Sequence, residues 1–297
     1  MINNAHIKKL LTKPTELLIK KMEESVQRLS PIKDPSFRRN VKYTLRDYII
    51  GILDVLRYNI SWNNYSGNMN GNTLRKKHSE WVNLGVYEDV YEKSFHEYMK
   101  TIRKNEELKY QSVDSTFIED KNNSKESSYN RIYKRRKGES SKGIKINTIV
   151  TTNGIPLSVN VKPGNEYDSP ILPELLDNII IDCNTKKYEK HNRYKQYFFG
   201  DSGYDSKNNH NKLTKMGYVP IIKQNRRNIK NKKLIRKMNN TQKQLYKKRI
   251  IVENYHSWIK KFLKIQSFYE KTIKSYTGLL LLGISVIINR RIISNKK

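Results

Sequence analysis

Residues 109–222 carry a hairpin pattern, followed by strands and helices in alternation. The turn signal Asn153-Gly154 separates the alternating stretches Ile144–Val150 and Leu157–Val161, which predict two half-buried antiparallel strands. This order favours an α/β fold with a mixed sheet flanked by helices. The other predicted elements are strands at Tyr110–Asp114, Tyr197–Asp201 and Tyr218–Ile222, helices over Ser169–Ile181 and Ser206–Met216, and a polar loop over Lys121–Ser141.

The first 105 residues are predicted to form a small all-helical domain. Lys42–Tyr58 spaces its leucines and isoleucines three and four residues apart, which gives one apolar helix face. Thr73 is the predicted N-cap of a second helix that stops at Gly85, and a third helix covers Glu88–Asn105. A basic second helix is compatible with a helix-turn-helix DNA reader, and a small bundle with a solvated charged face is the alternative. The side chains predicted to contact DNA are Arg75, Lys76 and Lys77.

The charge of the chain indicates the class of its partner. It has 59 Lys and Arg against 28 Asp and Glu, a formal net charge of +31. Such a field disfavours an ordinary small-molecule enzyme and favours a polyanion, most often nucleic acid. A single cysteine excludes an internal disulfide framework and a multi-cysteine zinc site.

No segment of the sequence predicts export or a membrane span. The first twenty residues lack the apolar run that a secretory signal needs. The most apolar stretch, Leu279–Ile288, is too short to cross a bilayer and is predicted to be a buried helix. We therefore expect a soluble intracellular protein with no membrane partner.

The last third of the chain is almost free of acidic residues. Between Ser206 and Val252 there are fifteen Lys and Arg and no Asp or Glu. Lys223–Asn240 holds eight of these basic residues and is predicted to be a basic loop or insertion. Arg226 and Arg227 in this segment are predicted to contact DNA.

Three carboxylates form a candidate catalytic set. The apolar neighbours of Glu253 predict that it points at the body of the protein, and a helix salt bridge with Arg249 is the alternative. Asp114 and Asp201 each end an apolar strand, where carboxylates of α/β proteins often converge; a turn or N-cap role is the alternative. Together the three could hold two divalent cations about 4 Å apart, activate a water or a 3′-hydroxyl, and stabilise the leaving oxygen of a phosphodiester. Their oxygen ligands suit Mg²⁺.

A predicted helix near the C-terminus, running from Thr241 to Ile265, contains a spaced motif. The pattern Tyr246-x2-Arg249-x3-Glu253-x6-Lys260 resembles the Y-R-E-K signature of bacterial insertion-sequence transposases of the DDE type. Other segments are similar to further blocks of that family: Asp114-Ser115-Thr116, Gly143-Ile144-Lys145, Lys162–Ser169, Gly200–Ser206, Trp62 and Trp81–Val86.

The resemblance implies a ribonuclease H-like catalytic domain. It places Asp114 on the first strand, Asp201 on the fourth and Glu253 on a later helix, as catalytic residues and as ligands of two Mg²⁺ (or Mn²⁺) ions. On one continuous helix Arg249 would lie one turn before Glu253, and Lys260 two turns after it. Ordinary solvated charge is the alternative for both basic residues. The implied DNA contacts near the scissile phosphate are those of Tyr246, Arg249 and Lys260.

By the same resemblance, the chain is expected to be a transposase. It would bind the terminal inverted repeats of its own element, cut the DNA, and join the freed 3′-hydroxyls to target DNA as a homodimer on double-stranded DNA. Its expected location is DNA-associated, in a bacterial cytoplasm or nucleoid or in a virus-infected host cell. The alternatives are a catalytically inactive or domesticated DNA-binding descendant, and a nucleic-acid-binding protein that acts through charge alone.

Three segments are expected along the chain. A helix-turn-helix-like DNA-binding domain covers residues 1–105, and the ribonuclease H-like domain covers 106–268 with its basic insertion at 223–240. A C-terminal packing helix covers 269–297. Loop or N-cap roles are predicted for three further carboxylates near the motifs: Glu166, Asp168 and Asp205.

Overall fold

The computed structural model describes residues 13–30, 42–134, 140–181, 195–226, 229, 235 and 237–296. The chain divides into two compact units. Unit 1 comprises residues 1–102, 119–126 and 259–297, and unit 2 comprises residues 103–118 and 127–258. The domain boundaries expected near residues 105 and 268 stay a prediction.

The described residues contain ten α-helices and seven strands. The helices are α1 (Lys13–Leu29), α2 (Leu45–Tyr58), α3 (Gly71–Leu84), α4 (Val86–Lys100), α5 (Lys104–Glu107), α6 (Asp168–Asp177), α7 (Lys207–Lys215), α8 (Asn240–Tyr246), α9 (Ile250–Ile259) and α10 (Ile273–Asn295). The strands are β1 (Tyr110–Asp120), β2 (Ser128–Lys134), β3 (Ser140–Val150), β4 (Pro156–Pro163), β5 (Gln196–Gly200), β6 (Tyr218–Ile222) and β7 (Ser267–Phe268).

Unit 1 is a mainly helical body built around α10. This helix packs against α1, α3 and α4, and buries a polar residue, Asn289, among its leucines and isoleucines. The Asn289 amide oxygen accepts a hydrogen bond from Lys21 Nζ at 2.8 Å, and its amide nitrogen donates to Ser94 Oγ at 2.9 Å. The buried amide is therefore satisfied, as buried polar groups in stable cores are.

The helix α10 is long and apolar enough to cross a membrane by length and composition alone. However, 67% of its apolar window is buried inside the protein. The predicted burial of Leu279–Ile288 is confirmed, and one such helix does not establish a membrane protein.

Local sequence signals explain where the helices of unit 1 begin and end. Thr44 and Asp47 form a capping box at the start of α2, each side chain accepting the other residue's backbone N–H. Gly85 ends α3 in the left-handed region at a φ of 73°, as predicted. The prediction of Thr73 as the N-cap of α3 is wrong. The Asn70 side chain accepts from Asn72 N at 2.8 Å and starts the helix earlier.

Unit 2 contains most of a mixed seven-stranded sheet. The strand order is β2-β3-β1-β5-β6, with β4 paired to β3. The pairs β2/β3 and β3/β4 are antiparallel, whereas β1/β5 and β5/β6 are parallel. The predicted hairpin at Gly154 is present, with Gly154 at a φ of 77°. This mixed α/β arrangement is consistent with a ribonuclease H-like domain.

Two strand predictions for the sheet are wrong. The stretch predicted as a polar loop contains β2, which lies at the end of the strand order and pairs with β3. β3 is not half-buried. Every residue of β3 from Gly143 to Val150 is buried, because α6 packs against this strand and Tyr255 of α9 interacts with Thr148.

The predicted helix from Thr241 to Ile265 is interrupted. A 3₁₀ turn at Lys247–Arg249 separates α8 from α9, and the chain leaves helical geometry after Ile259. Two side chains of this segment contact β1: Lys248 Nζ lies 4.5 Å from the Tyr110 ring centroid, and the adjacent Arg249 bonds to Asp114.

Candidate active site

Two aspartates lie next to each other, Asp114 on β1 and Asp201 directly after the neighbouring parallel strand β5. The register pairs Tyr110 with Tyr197 and Ser112 with Phe199. The same offset along the chain sets Asp114 opposite Asp201. Adjacent strands are about 4.8 Å apart, and alternate residues share a face, so both carboxylates occupy the same face at the same level.

The positions of these aspartates differ in part from the prediction. Asp114 lies in the middle of β1 rather than at its end. Asp201 directly follows β5, the fifth strand rather than the fourth, because β2 was not predicted. Asp201 also caps the 3₁₀ turn Ser202–Tyr204, where its Oδ1 accepts from Gly203 N at 2.8 Å. The turn role considered for Asp201 is therefore present alongside its place in the site.

Arg249 joins two of the three candidate carboxylates. Its Nη1 donates to Asp114 Oδ2 at 3.0 Å, and its Nη2 donates to Glu253 Oε1 one helical turn away. The salt bridge considered as the alternative role of Glu253 is thus present. Glu253 does not point into the body of the protein, because its side chain is 45% exposed. Arg249 and Asp114 are each 19% exposed.

The charges at the site act on Asp114. The pKa of the Asp114 carboxyl is raised to about 6, mainly by burial and to a smaller extent by the negative charge of Asp201. The Arg249 guanidinium and the Ser115 backbone N–H oppose this rise. The carboxyl therefore carries a cost of ionisation that a nearby cation would relieve.

Tyr246 connects the motif segment to β5. Its hydroxyl donates to the Gly200 carbonyl oxygen at 3.2 Å, and its ring centroid lies 5.9 Å from the Arg249 guanidinium. Burial raises the pKa of Tyr246, Arg249 opposes the rise, and the charges of all three candidate carboxylates add to it. The structure thus brings together five predicted residues: Tyr246, Arg249, Glu253, Asp114 and Asp201.

The sequence did not identify a second ion pair beside Asp201. Lys145 on β3 donates to Asp168 Oδ1 at 2.5 Å and to the Glu166 carbonyl oxygen at 2.8 Å, with the lysine side chain only 6% exposed. A Cβ built on Gly203 would lie 3.0 Å from Asp201 Oδ1 and 3.3 Å from Asp168 Oδ2. The two carboxylates therefore approach each other over Gly203. A lysine between the buried isoleucines of a strand was the available signal.

Tyr204 lies near three aspartates, whose charges affect the pKa of its hydroxyl. Its ring is fully buried, and burial raises the pKa of its hydroxyl well above the ordinary value. The charges of Asp168, Asp114 and Asp201 raise it further, and an interaction with Ser115 lowers it. Asp168, for which a loop or N-cap role was predicted, therefore lies near Asp114 and Asp201. We call these three carboxylates the acidic centre. Asp168 is also the first residue of α6.

The other residues predicted to contact DNA differ in exposure and in their partners. Lys260 follows the end of α9 in a turn of unit 1, so the prediction that it continues the helix face of Glu253 is wrong; burial lowers its pKa. Arg226 is exposed, and Arg227 lies outside the described residues. Arg75 and Lys76 on α3 are exposed, whereas Lys77 pairs with Glu80 at 3.0 Å. Their DNA contacts stay predictions.

The donor chemistry of the acidic centre suits a hard divalent cation, because it consists of carboxylate oxygens on half-buried residues. Burial and the charge of Asp201 raise the pKa of Asp114 although the Arg249 guanidinium opposes the rise. Among the described residues, however, no group of three or more Asp, Glu, His or Cys side chains is spaced to hold a metal ion. Arg249 holds Glu253 in a salt bridge, and this is part of the reason why Glu253 does not join the aspartates in such a group.

A mixed α/β domain with Asp114 on β1, Asp201 directly after the neighbouring parallel strand β5, and Glu253 on a later helix is consistent with a ribonuclease H-like DDE domain. Residues 109–288 match the transposase DDE domain family. The match covers well over half of the chain, and the chain therefore belongs to that family. DNA is the substrate class that this membership implies. A comparison with curated proteins found no matching sequence.

Proposed function

We propose that this protein is the transposase of a mobile element. It binds the terminal inverted repeats of that element, cleaves their phosphodiester bonds, and transfers the 3′-hydroxyl ends to target DNA. The observation that carries the proposal is the placement of Asp114 beside Asp201 on parallel strands, with Arg249 and Glu253 of the motif segment facing them.

Three carboxylates would hold two Mg²⁺ or Mn²⁺ ions: Asp114, Asp201 and Glu253. When bound, the ions would lower the cost of forming the attacking oxygen nucleophile and stabilise the leaving oxygen of the phosphodiester. Glu253 reaches this role by leaving its salt bridge with Arg249. Its exposed position at the start of α9 allows that rearrangement.

In this proposal Arg249 releases Asp114 and Glu253 and binds a phosphate of the DNA instead. Its guanidinium binds carboxylates through two nitrogens, and the same fork of donors matches the oxygens of a DNA phosphate. Tyr246 keeps the segment near β5 through its bond to Gly200. The proposed backbone contacts outside the centre are Lys260, Arg226, Arg227, Arg75, Lys76 and Lys77.

Cutting two element ends together requires two active sites, so we propose a homodimer on DNA. A DNA-associated location inside the cell follows from the substrate. The bacterial insertion-sequence origin is proposed from the Y-R-E-K spacing of Tyr246, Arg249, Glu253 and Lys260.

The test uses the full-length protein and a linear duplex carrying the element's own ends, which inverted repeats in the flanking DNA identify. Asp114→Asn, Asp201→Asn and Glu253→Gln should each reduce Mg²⁺-dependent cleavage by about a thousandfold while duplex binding remains. Asp177→Asn is the matched control, because Asp177 is 68% exposed and pairs only with Lys212 among the described residues. Cleavage by the three variants at the wild-type rate would refute the assignment, and a wild type that never cuts its ends would favour the inactive descendant.

A further inference from the structure

Unit 1 contains an open cavity that the proposed carboxylate chemistry does not use. It has a volume of about 540 Å³, and its lining comes from the 3₁₀ turn at Trp62, from α3, and from the segment Lys264–Ser275. Cavities of this size accept a small molecule or one unit of a polymer. The lining combines aromatic rings with three basic side chains: Arg75, Lys264 and Lys271.

Lys264 and Glu270, two buried residues that line this cavity, contact each other and the side chains beside them. Lys264 Nζ lies 5.4 Å from the Tyr269 ring centroid and 5.9 Å from that of Trp62. Glu270 Oε1 accepts from Trp62 Nε1 at 3.0 Å and lies 3.5 Å from Lys264 Nζ, while its Oε2 accepts from Ser275 Oγ at 2.8 Å. Both carboxylate oxygens of Glu270 therefore already have partners within the protein.

The rim of the cavity carries positive charge without a protein partner. Arg75 and Lys271 are exposed, and neither side chain forms a hydrogen bond or an ion pair within the described part of the chain. Asn63 and Ser79 add neutral hydrogen-bond donors beside them. Free cations in a concave site attract an anion, and a guanidinium suits a phosphate in particular.

The cavity also offers an aromatic surface. Tyr269 is 39% exposed, with Lys264 close to its ring. Every nucleobase can stack on an accessible aromatic ring regardless of sequence. A base reaches a concave site only when it has left the duplex stack, so the cavity suits a single strand better than a double helix.

We propose that this cavity binds one nucleotide of single-stranded DNA. Arg75 and Lys271 bind its phosphate, and Tyr269 stacks on its base. The proposal rests on the proposed function in one respect: strand cleavage is the source of the single-stranded DNA.

The test measures binding of a fluorescent twelve-residue oligothymidine to the full-length protein in EDTA, where no cleavage occurs. Arg75→Gln/Lys271→Gln should weaken binding about tenfold and flatten the log–log salt dependence by about 0.7 for each phosphate that the variant no longer neutralises. Lys20→Gln/Lys100→Gln is the charge-matched control. Both lysines are exposed residues of unit 1 outside the cavity, and their replacement should change affinity less than about twofold. An equal weakening in the cavity and control variants would overturn the proposal.

Two further arms identify the ligand. Tyr269→Ala should weaken oligothymidine binding about fivefold but leave binding of an abasic oligonucleotide of equal length unchanged. An equal weakening on both oligonucleotides, at an unchanged melting temperature, would overturn the base contact.

The second arm compares other ligands. Tighter binding of thymidine monophosphate than of the oligonucleotide would assign the cavity to a free nucleotide. If Arg75→Gln/Lys271→Gln weakened binding of a blunt duplex equally, the cavity would be assigned to duplex backbone. Because the assay contains no divalent ion, its outcome is independent of whether the protein cuts DNA.

Discussion

At Gly203 the absence of a side chain lets two carboxylates approach each other. The nearest atoms to a Cβ at this position would be Asp201 Oδ1 and Asp168 Oδ2, at 3.0 and 3.3 Å. Gly203 is not among the described glycines with a positive φ, so the position demands space rather than a special backbone conformation. The glycine therefore belongs to the acidic centre although it contributes no functional group.

Gly203→Ala should reduce DNA cleavage by at least about tenfold, because a displacement of the carboxylates by a fraction of an ångström misplaces the reacting groups. The melting temperature should change by less than about 3 °C, since the turn backbone accepts alanine. Cleavage kinetics and a thermal melt measure the two effects. Ser202→Ala in the same turn is the control, and equal activity of the two variants would contradict the close approach.

The raised pKa of Asp114 predicts a pH-dependent stability. Between about pH 4 and pH 6 the folded protein holds a proton that the unfolded chain has released, so stability falls as pH rises through this window. Asp114→Asn cannot ionise, and should gain up to about 3 kcal/mol relative to wild type between those pH values. Urea unfolding in EDTA measures the difference, with Asp177→Asn as the control. A difference that stays constant from pH 4 to pH 7 would refute the raised pKa.

Motif spacing located the residues of the acidic centre unevenly. Asp114, Asp201 and Glu253 stood out as strand-end or isolated carboxylates, and the structure brings them to one region with Arg249. Lys145 and Asp168 lie in segments that resembled the family, but their pairing was not predicted, because it depends on how β3 and α6 pack, which neither local pattern contains.

At the scale of elements, the pair Lys145–Asp168 ties the middle of β3 to the first turn of α6. The carboxylate at the start of α6 interacts favourably with the helix dipole, and the buried ammonium supplies its counter-charge. Breaking such a pair leaves one charge desolvated and alone, whereas removing both charges does not.

Lys145→Met should therefore destabilise the protein by about 3 kcal/mol, and Lys145→Met/Asp168→Asn should recover part of that stability. Urea unfolding of both single variants and the double variant completes the cycle. The exposed pair Lys212–Asp177 is the comparison, with an expected coupling below about 1 kcal/mol. Strictly additive effects at Lys145 and Asp168 would show that the pair contributes no coupling.

Local patterns predicted the elements that turn chemistry and apolar runs specify, and missed those that depend on contacts with other elements. The hairpin around Gly154 and the strand Tyr218–Ile222 agree with the structure because turn chemistry and apolar runs specify them locally. The edge strand β2 lies in a polar and charged stretch of the sequence, and the 3₁₀ turn at Lys247–Arg249 contacts β1, which is distant in the sequence. Neither feature is encoded within its own segment.

At the scale of the whole chain, the net charge of +31 predicted a polyanion partner, and family membership implies DNA. The sequence also predicted that the C-terminal helix is buried, but not that residues 259–297 group with residues 1–102. An apolar face indicates that a helix packs against something without specifying which partner.

Duplex binding by the full-length protein should depend steeply on salt. Each neutralised phosphate contributes about −0.9 to the slope of log affinity against log salt, so neutralising about five phosphates or more gives a slope steeper than about −4. Titrations of a random-sequence duplex in EDTA at several salt concentrations measure it. Sucrose at matched osmolality is the control and should leave the affinity unchanged. A nearly flat dependence would exclude a mainly electrostatic interface.

The Arg249 bridge has a consequence for a newly synthesised chain. Carboxylates that lie close together repel one another, and this repulsion would push the motif segment away from the sheet. Here the chain supplies a positive charge of its own, bonded to Asp114 and Glu253 from the moment of folding. The arginine thus keeps the motif segment bonded to β1 without any ion from solution.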